Sequence, residues 1–254
     1  MAVFEGSLYS EAMQMNTGVT VIFPEGSAAK PLKDGKFPVL YLLHGLEDDH
    51  TCWLHRTRID YYLRGKNLVV VMPEVQRSFY SDMAHGLPYF TYITEDLPRM
   101  VKQLFNVTDD PRHTYIAGLS MGGYGALKCA LRNPTAYAAA GAFSAAADVR
   151  QEVEDPAHSP FFPGEAYGIF GDRLSSENDL LMLTAKAAKE HIALPPMYIA
   201  CGLSDPLYDA NKRLRTQLDF LKIPYAYEEW AGAHNWDFWD KAIQNFLQFI
   251  LPND

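Results

Sequence analysis

The sequence predicts an α/β fold: a mostly parallel central sheet of about eight strands flanked by helices, in one domain spanning residues 1–254. Two observations carry this. Short continuous apolar runs, each ending in turn formers, recur along the chain, and strands apolar on both faces belong in a parallel sheet covered by helices. Between these runs apolar residues recur at helical spacing, and such alternation builds an α/β sandwich with right-handed crossovers.

Ala2–Ser10 and Thr17–Phe23, separated by polar residues, differ from the rest and read as an antiparallel edge pair. Val39–Leu43 and Leu68–Met72 are the first buried strands. Behind the acidic start Thr94-Glu95-Asp96, the residues Leu97, Met100, Val101, Leu104 and Phe105 mark one helix face, with Pro98 tolerated in the first turn. Thr114–Ala117 is another short strand, and a central strand ends at Phe143. Met197–Ala200 and Tyr225–Trp230 complete the set. Leu214, Leu218 and Leu221 give a helix between those two strands. Trp239, Ala242, Ile243, Phe246, Leu247 and Ile250 give the C-terminal helix.

One stretch fits no core element. Residues 144–186, after the sixth strand, hold Pro156, Pro160 and Pro163, several acids, and the aromatics Phe161, Phe162, Tyr167 and Phe170. A long irregular insertion is a candidate lid over a site. The plainer reading is a surface excursion that packs its aromatics on the domain edge.

Composition excludes several classes of function. A net charge of −9 argues against nucleic acid or an anionic membrane as partner, because phosphate binding needs clustered Lys and Arg. No apolar run approaches the roughly 18 residues of a membrane span. Met1–Gly6 lacks a basic start and an apolar signal core, so the expected location is the cytoplasm. Cys52, Cys129 and Cys201 have no metal or redox spacing, and their odd number argues against a disulfide framework.

The densest chemical signal is Gly118-Leu119-Ser120-Met121-Gly122, G-x-S-x-G, set between a strand and a helix that stops at Asn133-Pro134. Strand, tight turn, helix is the setting of a nucleophile elbow. Glycines flank the serine because a turn this sharp brings neighbouring backbone very close. A serine hydroxyl needs a base within hydrogen-bond reach, itself held by a third group. In this arrangement the chain order is Ser, then acid, then His.

Three histidines follow Ser120: His158, His191 and His234. Only His234 comes directly after a strand, in the turn Ala231-Gly232-Ala233 before the C-terminal helix. For the acid, Asp205 follows the strand ending near Cys201. As an Asp before Pro206 it is equally a good helix N-cap. Asp209 is the rival, while Asp237 and Asp240 lie too near His234 in sequence. Oxyanion stabilisation needs two amide donors. Met121 follows the nucleophile, and Leu46 follows the turn His44-Gly45; His44 itself reads as a brace for that turn. Trp53 and Trp236, near the oxyanion loop and the base, are candidate substrate-pocket walls or core residues. The glycines around Ser120 do not spell G-x-G-x-x-G or a P-loop, and no H-E-x-x-H is present, so no cofactor and no metal are expected.

With these residues the chain resembles the esterase D family of α/β-hydrolases. The resemblance is carried by Tyr41-Leu42-Leu43-His44-Gly45, Arg77-Ser78-Phe79-Tyr80, Ala117–Ala126, Cys201-Gly202 with Asp205, and Gly232-Ala233-His234-Asn235-Trp236. It implies a triad of Ser120, Asp205 and His234, with oxyanion donors Leu46 and Met121. The match lies nearest the tributyrin and acetyl esterase branch. S-formylglutathione hydrolases carry Ser-Gly-Leu where this chain has His44-Gly45-Leu46. The expectation is therefore a cofactor-free serine carboxylesterase acting on small-molecule short-chain acyl esters. The alternatives are an acetylxylan or feruloyl esterase, an S-formylglutathione hydrolase, and a non-catalytic ligand-binding scaffold. Whether it forms a homo-oligomer stays open.

Overall fold

The structure, a computed structural model, describes residues 1–26, 29–154 and 160–252. Its strands are β1 (Ala2–Ser10), β2 (Met15–Phe23), β3 (Val39–Leu43), β4 (Val69–Pro73), β5 (Thr114–Leu119), β6 (Ala139–Phe143), β7 (Met197–Gly202) and β8 (Ala226–Trp230). The helices are α1 (Cys52–Arg56), α2 (Ile59–Tyr62), α3 (Tyr89–Thr91), α4 (Leu97–Leu104), α5 (Met121–Arg132), α6 (Val149–Glu154), α7 (Glu165–Phe170), α8 (Leu180–Lys189), α9 (Tyr208–Leu221) and α10 (Trp236–Ile250). A π-helical turn, Tyr92–Asp96, leads into α4.

The strands form one eight-stranded sheet in the order β1-β2-β4-β3-β5-β6-β7-β8. β1 pairs antiparallel with β2, and β2 antiparallel with β4, while every later pairing is parallel. Every residue of β3, β4 and β6 is buried, as strands covered on both faces require. The edge strand β8 instead exposes Glu228 and Glu229, charges that discourage pairing with another chain.

Helices α4, α5, α8 and α9 supply the core on one face of the sheet; α1, α2 and α10 supply it on the other. Each fully buried Leu, Val or Phe contributes about 1.5–3 kcal/mol, so the two layers together fix where each strand ends. The strand ends matter because the functional groups stand on them.

Two differences from the sequence reading have physical causes. α10 begins at Trp236, a turn before the apolar stripe, because the Asn235 side chain accepts the Phe238 amide and caps the helix there. The stretch 144–186 also contains more core than its prolines suggest. Within it starts α8, the crossover helix between β6 and β7, which buries Leu180, Leu183 and Ala187 between α5 and α9. Asp179 caps it by accepting the amides of Leu181 and Met182. Phe161 and Phe170 pack on Phe79, whereas Phe162 is 65% exposed beneath the Arg77 guanidinium. Pro156 and His158 lie outside the described residues.

Candidate active site

Ser120 sits in the turn between β5 and α5 with φ 53° and ψ −118°. A non-glycine residue in that region carries strain of order 1–3 kcal/mol and persists only where the surroundings over-determine it. Here its amide donates to the Phe143 carbonyl at 2.8 Å, and its carbonyl accepts the Ala146 amide at 3.1 Å. The glycines explain themselves by distance. A Cβ on Gly122 would lie 2.5 Å from the Leu43 carbonyl oxygen, and one on Gly118 would lie 2.5 Å from the Gly122 carbonyl carbon.

His234, on the turn after β8, places Nε2 3.0 Å from Ser120 Oγ. Its Nδ1 lies 3.0 and 3.1 Å from the two carboxylate oxygens of Asp205, which follows β7 and is 5% exposed. A buried carboxylate on Nδ1 holds the proton there and leaves Nε2 free to accept from the serine hydroxyl. Asp205 is not the N-cap of α9, which begins at Tyr208 with Leu207 in the cap position, because Pro206 and Leu207 form a turn first; its Oδ1 does accept the Leu207 amide at 2.8 Å. The rivals stand elsewhere. Asp209 and Asp237 belong to the first turns of α9 and α10, Asp240 accepts the Tyr62 hydroxyl at 2.7 Å, and His191 ends the turn after α8.

The expected oxyanion donors flank this serine. The Met121 amide opens α5 and has no intrahelical acceptor, because backbone bonding there starts with the Tyr124 amide on the Ser120 carbonyl. Leu46 follows β3 and lines the same cavity as Ser120 and Met121. Behind it, His44 Nε2 accepts the Val75 amide at 3.1 Å, so its proton sits on Nδ1 and is donated to the Gly45 carbonyl at 2.7 Å. The Tyr80 hydroxyl donates to the His44 carbonyl at 2.9 Å and pins the loop from the other side.

These groups open onto a cavity of about 580 Å³. Trp236 lines it as expected. Trp53 does not. It is fully buried on α1, donates its indole N–H to the Leu43 carbonyl at 3.0 Å, and packs edge-on against Trp236 and Phe143. Trp53 is therefore a support for the wall and not part of it.

Phe79, Trp239 and Glu152, none of them singled out from the sequence, do line the cavity. The signal for Phe79 was its place in Arg77-Ser78-Phe79-Tyr80, where Phe79 and Tyr80 both hold φ near +49°. A larger groove, about 770 Å³, lies at the opposite, amino-terminal ends of β7 and β8, and its lining contains no nucleophile–base pair. Among the described residues no group of His, Cys, Asp and Glu is arranged to hold a metal ion. No described helix is long and apolar enough to cross a membrane.

A serine, histidine and aspartate gathered at the carboxyl ends of a mostly parallel sheet define an α/β-hydrolase fold with serine-hydrolase geometry. The chain matches the Esterase family over residues 10–250 and belongs to it. An acetyl esterase of Caldicellulosiruptor saccharolyticus is 29% identical, with 98% of each chain covered. Among solved structures, the fluorophosphonate-binding serine hydrolase F of Staphylococcus aureus is 31% identical with a TM-score of 0.90, covering 100% of this chain and 99% of that one. An S-formylglutathione hydrolase of the same organism is also 31% identical, with a TM-score of 0.87 and 98% of each chain covered. The chain is a carboxylic ester hydrolase, a serine carboxylesterase.

Proposed function

We propose that this enzyme hydrolyses short-chain acyl esters of small molecules through an acyl-enzyme intermediate. Ser120 Oγ attacks the ester carbonyl while His234 Nε2 takes its proton, and the amides of Leu46 and Met121 receive the oxyanion. Collapse expels the alcohol, protonated by His234. Water activated by the same imidazole then releases the acid and restores the serine. Asp205 keeps the imidazole in its tautomer and stabilises the imidazolium. The observation that carries this reading is the continuous hydrogen-bonded line Ser120–His234–Asp205.

Similarity to an acetyl esterase along nearly the whole chain supports the short acyl group. A second reading, thioester hydrolysis of S-formylglutathione, is favoured by likeness to the staphylococcal enzyme of that name. We further infer that the part of the insertion before α8 acts as a small lid. Pro160 stands on the cavity wall, and Arg77 grips both the Pro160 carbonyl and the Glu165 carboxylate at 2.6–2.9 Å. A cytoplasmic location suits the three free, buried cysteines.

The test is Ser120→Ala assayed on p-nitrophenyl acetate. Turnover is expected to fall about 10⁶-fold with the fold intact, as removal of a triad nucleophile does. Retention of more than about a tenth of the activity would remove Ser120 from the role.

A further inference from the structure

The wall of the active-site cavity carries three carboxyl groups that acyl transfer does not use, Glu47, Asp48 and Glu152. Glu152, on α6, lines the cavity together with Ser120 and His234. Its Oε1 is closed off from solvent and has no hydrogen-bond partner, a costly state for any polar atom and costlier for a charged one. A carboxylate kept for structure looks different in this protein. Asp179, nearby, accepts two helix amides and the Arg150 guanidinium.

Among the described residues no cation answers Glu152. On its own element Arg150 is engaged with Asp179 and Glu154; on α9, Arg213 is engaged with Asp148. Burial, with the charge of Asp148 adding to it, raises the Glu152 carboxyl to about 7. The same cavity is also lined by Glu47, Asp48, Arg56 and His234.

We propose that Glu152 is a specificity-determining residue whose carboxyl, turning into the cavity, hydrogen-bonds an uncharged hydroxyl of the ester substrate and turns away esters whose remaining portion is anionic. The proposal rests on the reading of this cavity as the ester site. A carboxyl donates when protonated and accepts when ionised, and a hydroxyl satisfies either state, whereas an anionic group is tolerated only by the protonated form. The substrate class is therefore the acyl ester of a polyol or carbohydrate. A glutathione thioester carries carboxylates into a wall that already holds Glu47, Asp48 and Glu152.

The experiment compares kcat/KM for three acetyl donors: p-nitrophenyl acetate, an acetylated methyl glycoside with free hydroxyls, and S-acetylglutathione. Each is measured on wild type, Glu152→Leu and Glu152→Gln. With p-nitrophenyl acetate as the denominator, any pH dependence common to both donors cancels in the ratio. The glycoside ratio is expected to fall about ten-fold in Glu152→Leu and to stay within about three-fold in Glu152→Gln, which keeps a donor and an acceptor. The S-acetylglutathione ratio should fall in wild type between about pH 6 and about pH 8, and stay level in Glu152→Gln.

Ratios within two-fold of wild type in both variants would overturn the proposal, as would an unchanged pH dependence in Glu152→Gln. The isosteric Glu152→Gln decides the matter where Glu152→Leu does not fold. Failure of wild type to hydrolyse any donor, or indifference of its activity to Ser120→Ala, would instead overturn the ester-site reading itself.

Discussion

His44 donates its Nδ1 proton to the carbonyl of Gly45, 2.7 Å away, and that carbonyl shares a peptide unit with the amide of Leu46. A trans peptide is planar, with C=O and N–H pointing in opposite directions, so holding one aims the other. The histidine that braces the turn thus orients the Leu46 amide, the proposed oxyanion donor. The Val75 amide on Nε2 fixes the tautomer that makes this possible.

Removing that brace should act on the transition state and spare ground-state binding. His44→Ala is expected to lower kcat by about 10–100-fold, less than deletion of a whole oxyanion donor, with KM changed by no more than about three-fold. Steady-state kinetics on p-nitrophenyl acetate check this. A loss confined to KM would mean that His44 positions substrate and not the Leu46 amide.

The elbow glycines give a test with an internal control. Gly122→Ala would drive a Cβ to 2.5 and 2.6 Å from the carbonyl oxygens of Leu43 and His44, backbone atoms that cannot swing aside. We expect a loss of about 1–3 kcal/mol or more in stability and at least a ten-fold loss of activity. Gly168→Ala, within α7 where nothing lies within 4 Å of the new Cβ, should be neutral or stabilising by up to about 1 kcal/mol. Urea denaturation of both variants measures the contrast. Equal stabilities would mean that α5 can shift away from β3.

The cluster of Ser120, His234 and Asp205 was legible because each residue is tied to something local: Ser120 to paired glycines, His234 and Asp205 to the turns after β8 and β7. The turn after β3 likewise pointed to Leu46. The pocket wall was not legible. Trp53 follows the Leu46 turn and Trp236 follows His234, and only packing decides that Trp236 lines the cavity while Trp53 lies behind it. α8 was hidden because prolines and acids upstream masked its apolar face. Glu152 and Lys128 were missed for the same kind of reason. A charged residue on a short or mostly apolar helix reads as solvated until neighbouring elements close over it.

Lys128, eight residues after Ser120 on α5, is fully buried. Its Nζ donates to the Phe79 carbonyl at 3.0 Å, Ser81 Oγ at 2.8 Å and Asn178 Oδ1 at 3.2 Å, tying the loop that carries Phe79 to the residues before α8. Burial pushes this ammonium down from 10.5 to about 7. In the unfolded chain it stays protonated up to its ordinary value, so between those limits the unfolded state binds more protons. Stability contributed by this group therefore rises with pH above about 7, by at most about 1.4 kcal/mol per pH unit, and is level below it. Urea midpoints of wild type and Lys128→Met at about pH 6, 8 and 9.5 should diverge in favour of wild type as pH rises. Parallel curves would show that the buried amine keeps its proton across this range.

The final expectation concerns acyl length. Phe79, Trp236 and Trp239 stand on the cavity wall with Ser120, and Trp53 props Trp236 from behind with ring centroids 5.2 Å apart. A ring held on its far side by another buried ring has little room to retreat. Each methylene that fits gains about 0.8 kcal/mol, but forcing a longer chain against packed rings costs about 1–3 kcal/mol. The 580 Å³ must also hold the alcohol portion of the ester. Acetyl to butyryl esters should therefore react fastest, with kcat/KM falling steeply by about eight carbons. Trp53→Ala, by letting Trp236 relax, should shift the optimum to longer chains while lowering stability by about 3–5 kcal/mol. A series of p-nitrophenyl esters of increasing acyl length measures both effects. A wild-type maximum at octanoate or beyond would mean that the rings flank an open groove, and the short-acyl reading would have to be abandoned.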